Sequence, residues 1–364
     1  MVDPELKTVY WTVTTECNQR CKHCWLSAGV KRGNELNADQ WIKIFGKIID
    51  MGLKDVKVTG GEPLLKWDTT KKVLQFLTDH EVLLRVETNA TLLCGKYGQE
   101  ILEAFKGDYL VGVSVSLDSH IPEEHDKFRA MKGAFEKTIR AADLLKENEI
   151  PFSIVSVIHN KNYEQILDII DFVENIGSKI HQINLIMPQG RAAINTGYNL
   201  SIEFYRNLPS LIKKVRKEMG KKVSFNVPYM FAPLDIDFLM CNVGKSICGL
   251  LPNGDIAVCG AGIDRRELTL GNALDDDIED IWVNSPVFTT LRKDVFRVTG
   301  ICGNCIFAKY CRGYCRAYTF SIYGRLDASY PTCQILYEQG AFPERHMIDP
   351  DRDCSYGGLP GKSG

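Results

Sequence analysis

No apolar run in this 364-residue chain reaches the length of about 18 residues that a membrane-spanning helix needs. The first residues, Met1-Val2-Asp3-Pro4, have neither the basic nor the apolar segment of a secretory signal. No transmembrane helix is expected, and the expected compartment is the cytoplasm. Neither sign of charge dominates, since 44 Lys and Arg stand against 46 Asp and Glu. That balance gives no reason to expect nucleic acid or an anionic membrane as the main partner. Low-complexity stretches are missing as well. With 45% hydrophobic and 25% charged residues, the chain can bury a large core, which excludes disordered and fibrous classes. Cysteine is missing from residues 95–240, yet the whole chain holds 13. A disulfide framework would not leave so long a gap. Two metal-binding regions separated by a scaffold would, and in a reducing compartment cysteines more often bind metal or do chemistry.

The scaffold reads as alternating strands and helices. Short runs rich in Val, Ile, Leu and Thr predict strands at Val9–Thr14, Asp55–Thr59, Leu83–Thr88, Leu110–Leu117, Phe152–Val157 and Gln182–Ile186. Helical periodicity predicts helices over Asn37–Met51, Asp68–His80, Ala134–Glu147, Tyr163–Asn175 and Ser201–Met219. Strand–helix repetition implies right-handed βαβ units and a parallel sheet. Six units predict an α/β fold, a partial (βα)6 TIM-like barrel, with function at the C-terminal strand ends. The expected divisions are the barrel over 1–195, a helical bridge over 196–235, a cysteine-rich iron–sulfur domain over 236–345 and a tail over 346–364. Within the third, Cys248–Cys259 reads as a hairpin turning at Asn253-Gly254.

Cys17, Cys21 and Cys24 form a C-x3-C-x2-C cluster just after the first predicted strand. Four-iron clusters take four cysteines, so three from one loop leave one iron open to a substrate or cofactor. A zinc knuckle with His23 as fourth ligand is the alternative, but His23 lies between two ligands and would have to point the other way. Further motifs stand at later strand ends: Gly60-Gly61-Glu62-Pro63, Glu87-Thr88-Asn89-Ala90 and Ser116-Leu117-Asp118. Paired glycines let a backbone approach a ligand closely. Together these motifs, over about residues 8–190, resemble the radical S-adenosylmethionine superfamily. The resemblance implies that the cofactor's amino group meets Gly60, Gly61 and Glu62, with Ser116 and Asp118 near its carboxylate or ribose and Asn89 among the cofactor-binding residues. Arg140 would meet its carboxylate, and Ser156 with the backbone of Ile158–Asn160 would lie along the adenine. It also implies reductive cleavage of S-adenosylmethionine to a 5′-deoxyadenosyl radical that takes a hydrogen atom from substrate.

The second region reads Cys241, Cys248, Gly254-x4-Cys259, then Cys302-x2-Cys305-x5-Cys311-x3-Cys315 and Cys333. It resembles the SPASM extension of radical enzymes that modify peptides and some other substrates. The resemblance implies Cys241, Cys248, Cys259 and Cys315 on a first auxiliary [4Fe–4S] cluster. Cys302, Cys305, Cys311 and Cys333 would hold a second, making three clusters in all. Eight cysteines for two four-cysteine clusters leave no remainder. Cys248 nevertheless stands only five residues before Gly254, shorter than usual, and without it the first auxiliary cluster would have an open iron. Gly260 follows Cys259 where the sulfatase-maturing branch carries an aspartate base, which disfavours formylglycine formation. Cys94 is expected to be a small buried hydrophobe and Cys354 to be idle.

Three functions follow. The leading one is a peptide maturase, served by a one-electron donor such as flavodoxin or ferredoxin. The first strand starts by about residue 8, so a peptide-recognition domain is expected to be absent or a separate protein. The second is a small-molecule maturase of the haem or haem d1 pathways, whose style of motif stands at Gly60–Leu65 and His125–Arg129. The third is a non-catalytic iron–sulfur carrier, against which the cofactor motifs at several strand ends argue.

Overall fold

The computed structural model describes residues 4–231, 241–260, 265–293 and 298–348. Cys354 and nearly all of the expected tail lie outside the described residues.

Strands β1 (Thr8–Thr12), β2 (Asp55–Thr59), β3 (Leu83–Thr88), β4 (Leu110–Ser116), β5 (Phe152–Ile158) and β6 (His181–Leu185) stand where the pattern put them. Helices α1 (Ala38–Asp50), α2 (Trp67–Asp79), α3 (Gly98–Ala104), α4 (Pro122–Arg129), α5 (Ala134–Glu147), α6 (Ile166–Ile176), the four-residue α7 (Arg191–Ile194) and α8 (Ile202–Met219) lie among them. The stretch expected as a helical bridge does more than bridge. Helix α8 leads into β7 (Val223–Asn226), which pairs parallel to β6 and adds a seventh βα unit. A four-residue strand with only two buried side chains is too short for periodicity to reveal.

The cysteine-rich part is not a separate body hung on this sheet. Its hairpin, β8 (Ile247–Leu250) and β9 (Asp255–Ala257), turns at Asn253-Gly254 as expected, and Gly254 takes a φ of +88° that suits glycine. Strand β8 pairs parallel to β1, and β10 (Thr269–Asn272) pairs antiparallel to β9. The sheet order is therefore β10-β9-β8-β1-β2-β3-β4-β5-β6-β7. Helices α9 (Ile278–Asn284), α10 (Pro286–Arg292), α11 (Ala308–Cys311), α12 (Arg316–Tyr323) and α13 (Pro331–Glu338) complete the C-terminal part.

Successive side chains of a strand leave opposite faces. On β1, Val9 and Trp11 point to the helices, and Trp11 meets Trp41 and Phe45 of α1 edge-on at 5.4 and 5.5 Å. Asn37 caps α1 reciprocally with Gln40, each accepting the other's backbone N–H at 3.0 Å. The other row faces the concave side. In register it runs Tyr10, Lys57 and Arg85, then Glu87, Ser114 and Ser153, with Ser116, Val155 and Gln182 above. One face is apolar and helix-covered, and the other is polar and only half-buried.

The two rows should respond differently to truncation. Trp11→Ala is expected to lower unfolding stability by about 3–5 kcal/mol in anaerobic denaturation. Tyr10→Phe, on the concave face, should cost less than about 1 kcal/mol.

Candidate radical centre and auxiliary cysteine sites

The loop after β1 carries Cys17, Cys21 and Cys24. Its start is fastened by Glu35, which accepts the Thr14 hydroxyl at 2.8 Å and the Thr15 N–H at 3.0 Å. The Gly60–Glu62 turn docks directly on it: Gly61 N–H donates to Thr14 O and Glu62 N–H to Glu16 O, both at 2.8 Å. A Cβ on Gly61 would fall 2.0 Å from the Glu16 carbonyl oxygen, and one on Gly60 would fall 2.8 Å from that of Thr14. These glycines let the turn approach the cysteine loop, one residue before Cys17, rather than leaving room for a ligand alone.

Glu62 also differs from expectation. Its carboxylate is fully buried and accepts from Thr88 Oγ1 (2.8 Å), Asn89 N–H (2.9 Å) and Leu64 N–H (3.1 Å). It ties the second strand end to the third and presents no free oxygen to an ammonium group. Burial pushes its carboxyl up to about 7, against the pull of those donors. Asn89 reaches the loop itself, its amide donating to Asn18 Oδ1 at 2.8 Å and lying 3.9 Å from Cys17 Sγ.

Asp118 is buried at the end of β4. It accepts Arg129 Nε at 2.6 Å and the Val157 N–H at 2.9 Å. Burial opposes its charge, but the Arg129 guanidinium beside it holds the carboxyl well below the usual range. Arg129 is the arginine of this site, and Arg140 is not. Arg140 is exposed on α5 and paired with Glu147 at 2.9 Å. The sequence signal for Arg129 was there, in the His125–Arg129 motif, whose helix returns Phe128 and Arg129 under the cysteine loop. Their carbonyls accept Lys22 N–H at 2.8 Å and Arg20 N–H at 3.2 Å. Ser156 likewise departs from expectation: fully buried, it is bonded to the Leu117 carbonyl and to His181 Nε2. Ser116 is half-buried on the concave face.

Residues the motifs did not single out complete the surroundings. His23 stacks on Phe128 at 4.5 Å, and burial lowers its imidazole to about 3, so it is neutral. Phe128 in turn meets His159 at 4.1 Å and Tyr198 at 5.2 Å. The Phe128, His159 and Tyr198 rings wall a cavity bordered by Asp118, Glu124 and Lys161.

The three thiols of the loop are close neighbours. Burial pushes Cys17 up to about 12, and Cys21 and Cys24 add to the shift. A thiol raised as far as that of Cys17 stays protonated unless a metal takes the proton's place. Among the described residues no three His, Cys, Asp or Glu close to the spacing of a single metal ion. A four-iron cluster interposes iron and sulfide between its thiolates and suits wider spacing.

Cys302, Cys305, Cys311 and Cys333 line one cavity, walled otherwise by Pro228, Met230, Phe307 and Phe342. Four converging thiols in an apolar chamber fit an iron–sulfur cluster. The other set comes together only in part. Burial and the neighbouring Cys241 push Cys315 up to about 11. Tyr10 lies near both Cys241 and Cys259. Cys248 stands apart: it is registered with Val9 on β8, almost wholly buried in the hydrophobic core. Burial alone pushes its thiol up to about 12, with no other cysteine contributing. Alternation explains this. Gly249, the next residue, is the one facing Cys259, whose Cα lies 2.7 Å from where a Gly249 Cβ would be. Gly260 is packed between the Thr12 hydroxyl and the Trp25 ring, with 3.1 and 3.3 Å to a built Cβ, so a larger residue would have to displace one of them. Cys94, expected to be buried, is exposed.

Two outcomes follow. Gly61→Val should displace the Cys17 backbone, so iron retention in the first loop should fall together with deoxyadenosine production. Loss of deoxyadenosine with full iron would contradict this packing. Glu62 binds its proton more tightly folded (about 7) than unfolded (4.5), so stability should fall as pH rises between these values, by on the order of 3 kcal/mol. Glu62→Gln should flatten that slope and cost about 1–3 kcal/mol through the acceptors lost. Denaturation midpoints across pH 4–8 measure both.

Comparison with known proteins agrees with this geometry. The radical SAM superfamily model matches residues 11–173, and the SPASM iron–sulfur cluster-binding domain matches 241–306. The AdoMet-dependent heme synthase of Methanosarcina barkeri is 25% identical over 352 residues, 92% of this chain and 97% of its own. The mycofactocin maturase MftC of Mycobacterium ulcerans is 28% identical over 355 residues, 95% of this chain and 93% of its own. Among solved structures, Streptococcus suis SuiB bound to its precursor peptide SuiA superposes with a TM-score of 0.72 at 20% identity, covering 90% of this chain and 75% of that one. The enzyme anSMEcpe with bound AdoMet gives 0.68 at 19% identity, covering 85% and 89%. No helix among the described residues is long and apolar enough to cross a membrane. With both matched domains carrying clustered cysteines where iron–sulfur ligands are needed, the chain belongs to the radical SAM superfamily and is a radical SAM enzyme with a C-terminal SPASM domain.

Proposed function

We propose that this enzyme is a peptide maturase. The observation that carries the reading is the charge balance of the concave face. Its strand cations are both paired, Lys57 with Glu87 at 2.7 Å and Arg85 with Asp55. Between and above them stand hydrogen-bonding neutral groups, Ser114, Ser116, Ser153, Gln182 and Asn184, with Gln182 donating to Asn184 at 2.9 Å. Such a face suits neutral amides. A substrate with several carboxylates would call for cations in excess. The resemblance to a mycofactocin maturase and the fold shared with a peptide-bound enzyme support the same reading. Tetrapyrrole side-chain modification is the second reading, favoured by the heme synthase relatives over nearly their whole length.

Cys17, Cys21 and Cys24 would hold the radical cluster. When bound, it and S-adenosylmethionine supply a 5′-deoxyadenosyl radical that abstracts hydrogen from substrate. The chain's own part is to orient and to exclude water. The His159, Phe128 and Tyr198 rings offer flat apolar surfaces to an adenine, and Asn89 beside Cys17 offers an amide at the cluster edge. Gly60, Gly61 and Glu62 act mainly through the backbone they place there. Cys302, Cys305, Cys311 and Cys333 would hold one auxiliary cluster. Cys241, Cys259 and Cys315 would hold the other, which would then be one protein ligand short. A flavodoxin or ferredoxin would supply single electrons, a separate protein could deliver the peptide, and the cytoplasm is the proposed compartment.

Anaerobically reconstituted enzyme should contain about twelve irons in three four-iron clusters. Replacing Cys17, Cys21 and Cys24 by Ala should remove about a third. Cys248→Ala should keep all the iron while costing about 1–2 kcal/mol of stability as a small core cavity; a loss of iron in that variant would restore Cys248 as a ligand. Incubation with S-adenosylmethionine, reductant and either candidate precursor peptides or propionate-bearing tetrapyrroles, read by mass spectrometry, tests the substrate. A mass change in a peptide is expected, and a change confined to the tetrapyrroles would overturn the reading.

A further inference from the structure

We propose that Arg191 is a positioning residue for the radical centre, clasping the backbone of the three-cysteine loop and biasing its cluster toward the reduced state. The proposal rests on the reading of Cys17, Cys21 and Cys24 as cluster ligands. Arg191 lies outside both matched domains, in the segment between residues 173 and 241.

The clasp is built from several bonds. Arg191 Nε donates to Cys21 O at 2.8 Å and Nη1 to Ala28 O at 2.6 Å. Its backbone N–H donates to Cys24 O at 3.0 Å. One turn on, Asn195 Nδ2 donates to Lys22 O at 3.1 Å. Gly190, at a φ of +58°, brings this backbone so close that a Cβ would lie 2.6 Å from Cys24 O and 2.4 Å from Trp25 O. The α4 end meanwhile accepts the N–H groups of Arg20 and Lys22. The loop is thus held by its carbonyls through Arg191 and Asn195 and by its amides through the α4 end. A planar fork matches two carbonyls at fixed separation in a way a lysine cannot.

The charge has a separate consequence. Arg129 is also near Cys21, but its guanidinium is committed to Asp118 at 2.6 Å. Arg191 bonds to carbonyls, and among the described residues no carboxylate pairs with it. An uncompensated cation beside a cluster that gains one electron from an external donor stabilises the added negative charge, and net charge and hydrogen bonding set such potentials.

The experiment compares reconstituted wild type with Arg191→Lys, Arg191→Met, Asn195→Ala and Cys21→Ala. Iron release to a chelator and the potential of the first cluster, titrated by electron paramagnetic resonance, are the readouts. Arg191→Lys keeps the charge and loses the fork: its potential should stay near wild type while iron is released several-fold faster. Asn195→Ala should release iron faster with no shift in potential. Arg191→Met should release iron fastest and shift the potential to more negative values. Wild-type iron release in Arg191→Lys would overturn the clasp, whether or not Arg191→Met loads its cluster. A negative shift in Arg191→Lys as large as in Arg191→Met, or an unshifted potential in Arg191→Met, would overturn the electrostatic part. Cys21→Ala should lose the first cluster; full iron there would instead overturn the ligand reading on which the proposal rests.

Discussion

Side chains on a parallel strand leave alternate faces, and most of this molecule depends on which residues that alternation sends where. On the helix side it collects Val9, Trp11, Val56, Val58, Val86, Val113, Val115 and Ile154, all fully buried. On the concave side it collects Tyr10, Lys57, Glu87 and a row of serines and amides. The first row supplies the hydrophobic burial that makes the sheet rigid. The second row can then stay polar and half-open, because the core does not depend on it. The same alternation sorts Cys248 from its neighbours, turning it into the core while Gly249 faces Cys259.

A rigid sheet alone does not hold three thiols in a loop. That loop is braced from three strand ends and one connecting segment. Gly60 and Gly61 pack the second strand end against its start, and Asn89 holds the Cys17–Asn18 end. The carbonyls after β4, at Phe128 and Arg129, accept its central amides. Arg191 and Asn195 take its carbonyls. The buried Asp118–Arg129 pair anchors this arrangement, since separating either charge from the other would leave it uncompensated in the interior. Glu62 serves the same end by joining two strand ends through its three acceptor contacts.

The C-terminal part is continuous with this frame through β8, paired in register to β1. The loops bearing Cys241 and Cys259 therefore arrive beside Tyr10 and Thr12, at the same concave face that the radical centre overlooks from the strand ends. One strand, β1, borders both the three-cysteine loop and the loops bearing Cys241 and Cys259.

Much of this was legible in the sequence. Six strands, the hairpin and the long helices follow from local periodicity and turn chemistry. The two cysteine groups follow from spacing, because several ligands of one cluster must come from short loops. Residues whose role depends on direction were not legible. Arg140 and Arg129 both lie on helices after β4, and only the packing of α4 under the cysteine loop decides between them. Ser156 and Glu62 stand at the expected strand ends, yet tertiary contacts turn their side chains inward to protein partners. Cys248 satisfied the arithmetic of eight thiols and was separated from the others by the pairing of β8 with β1, a contact between residues far apart in the chain. Local sequence determines which elements form and which residues chemistry can use. Which of those residues meet is decided by register and packing between distant segments, because those interactions have no local signature.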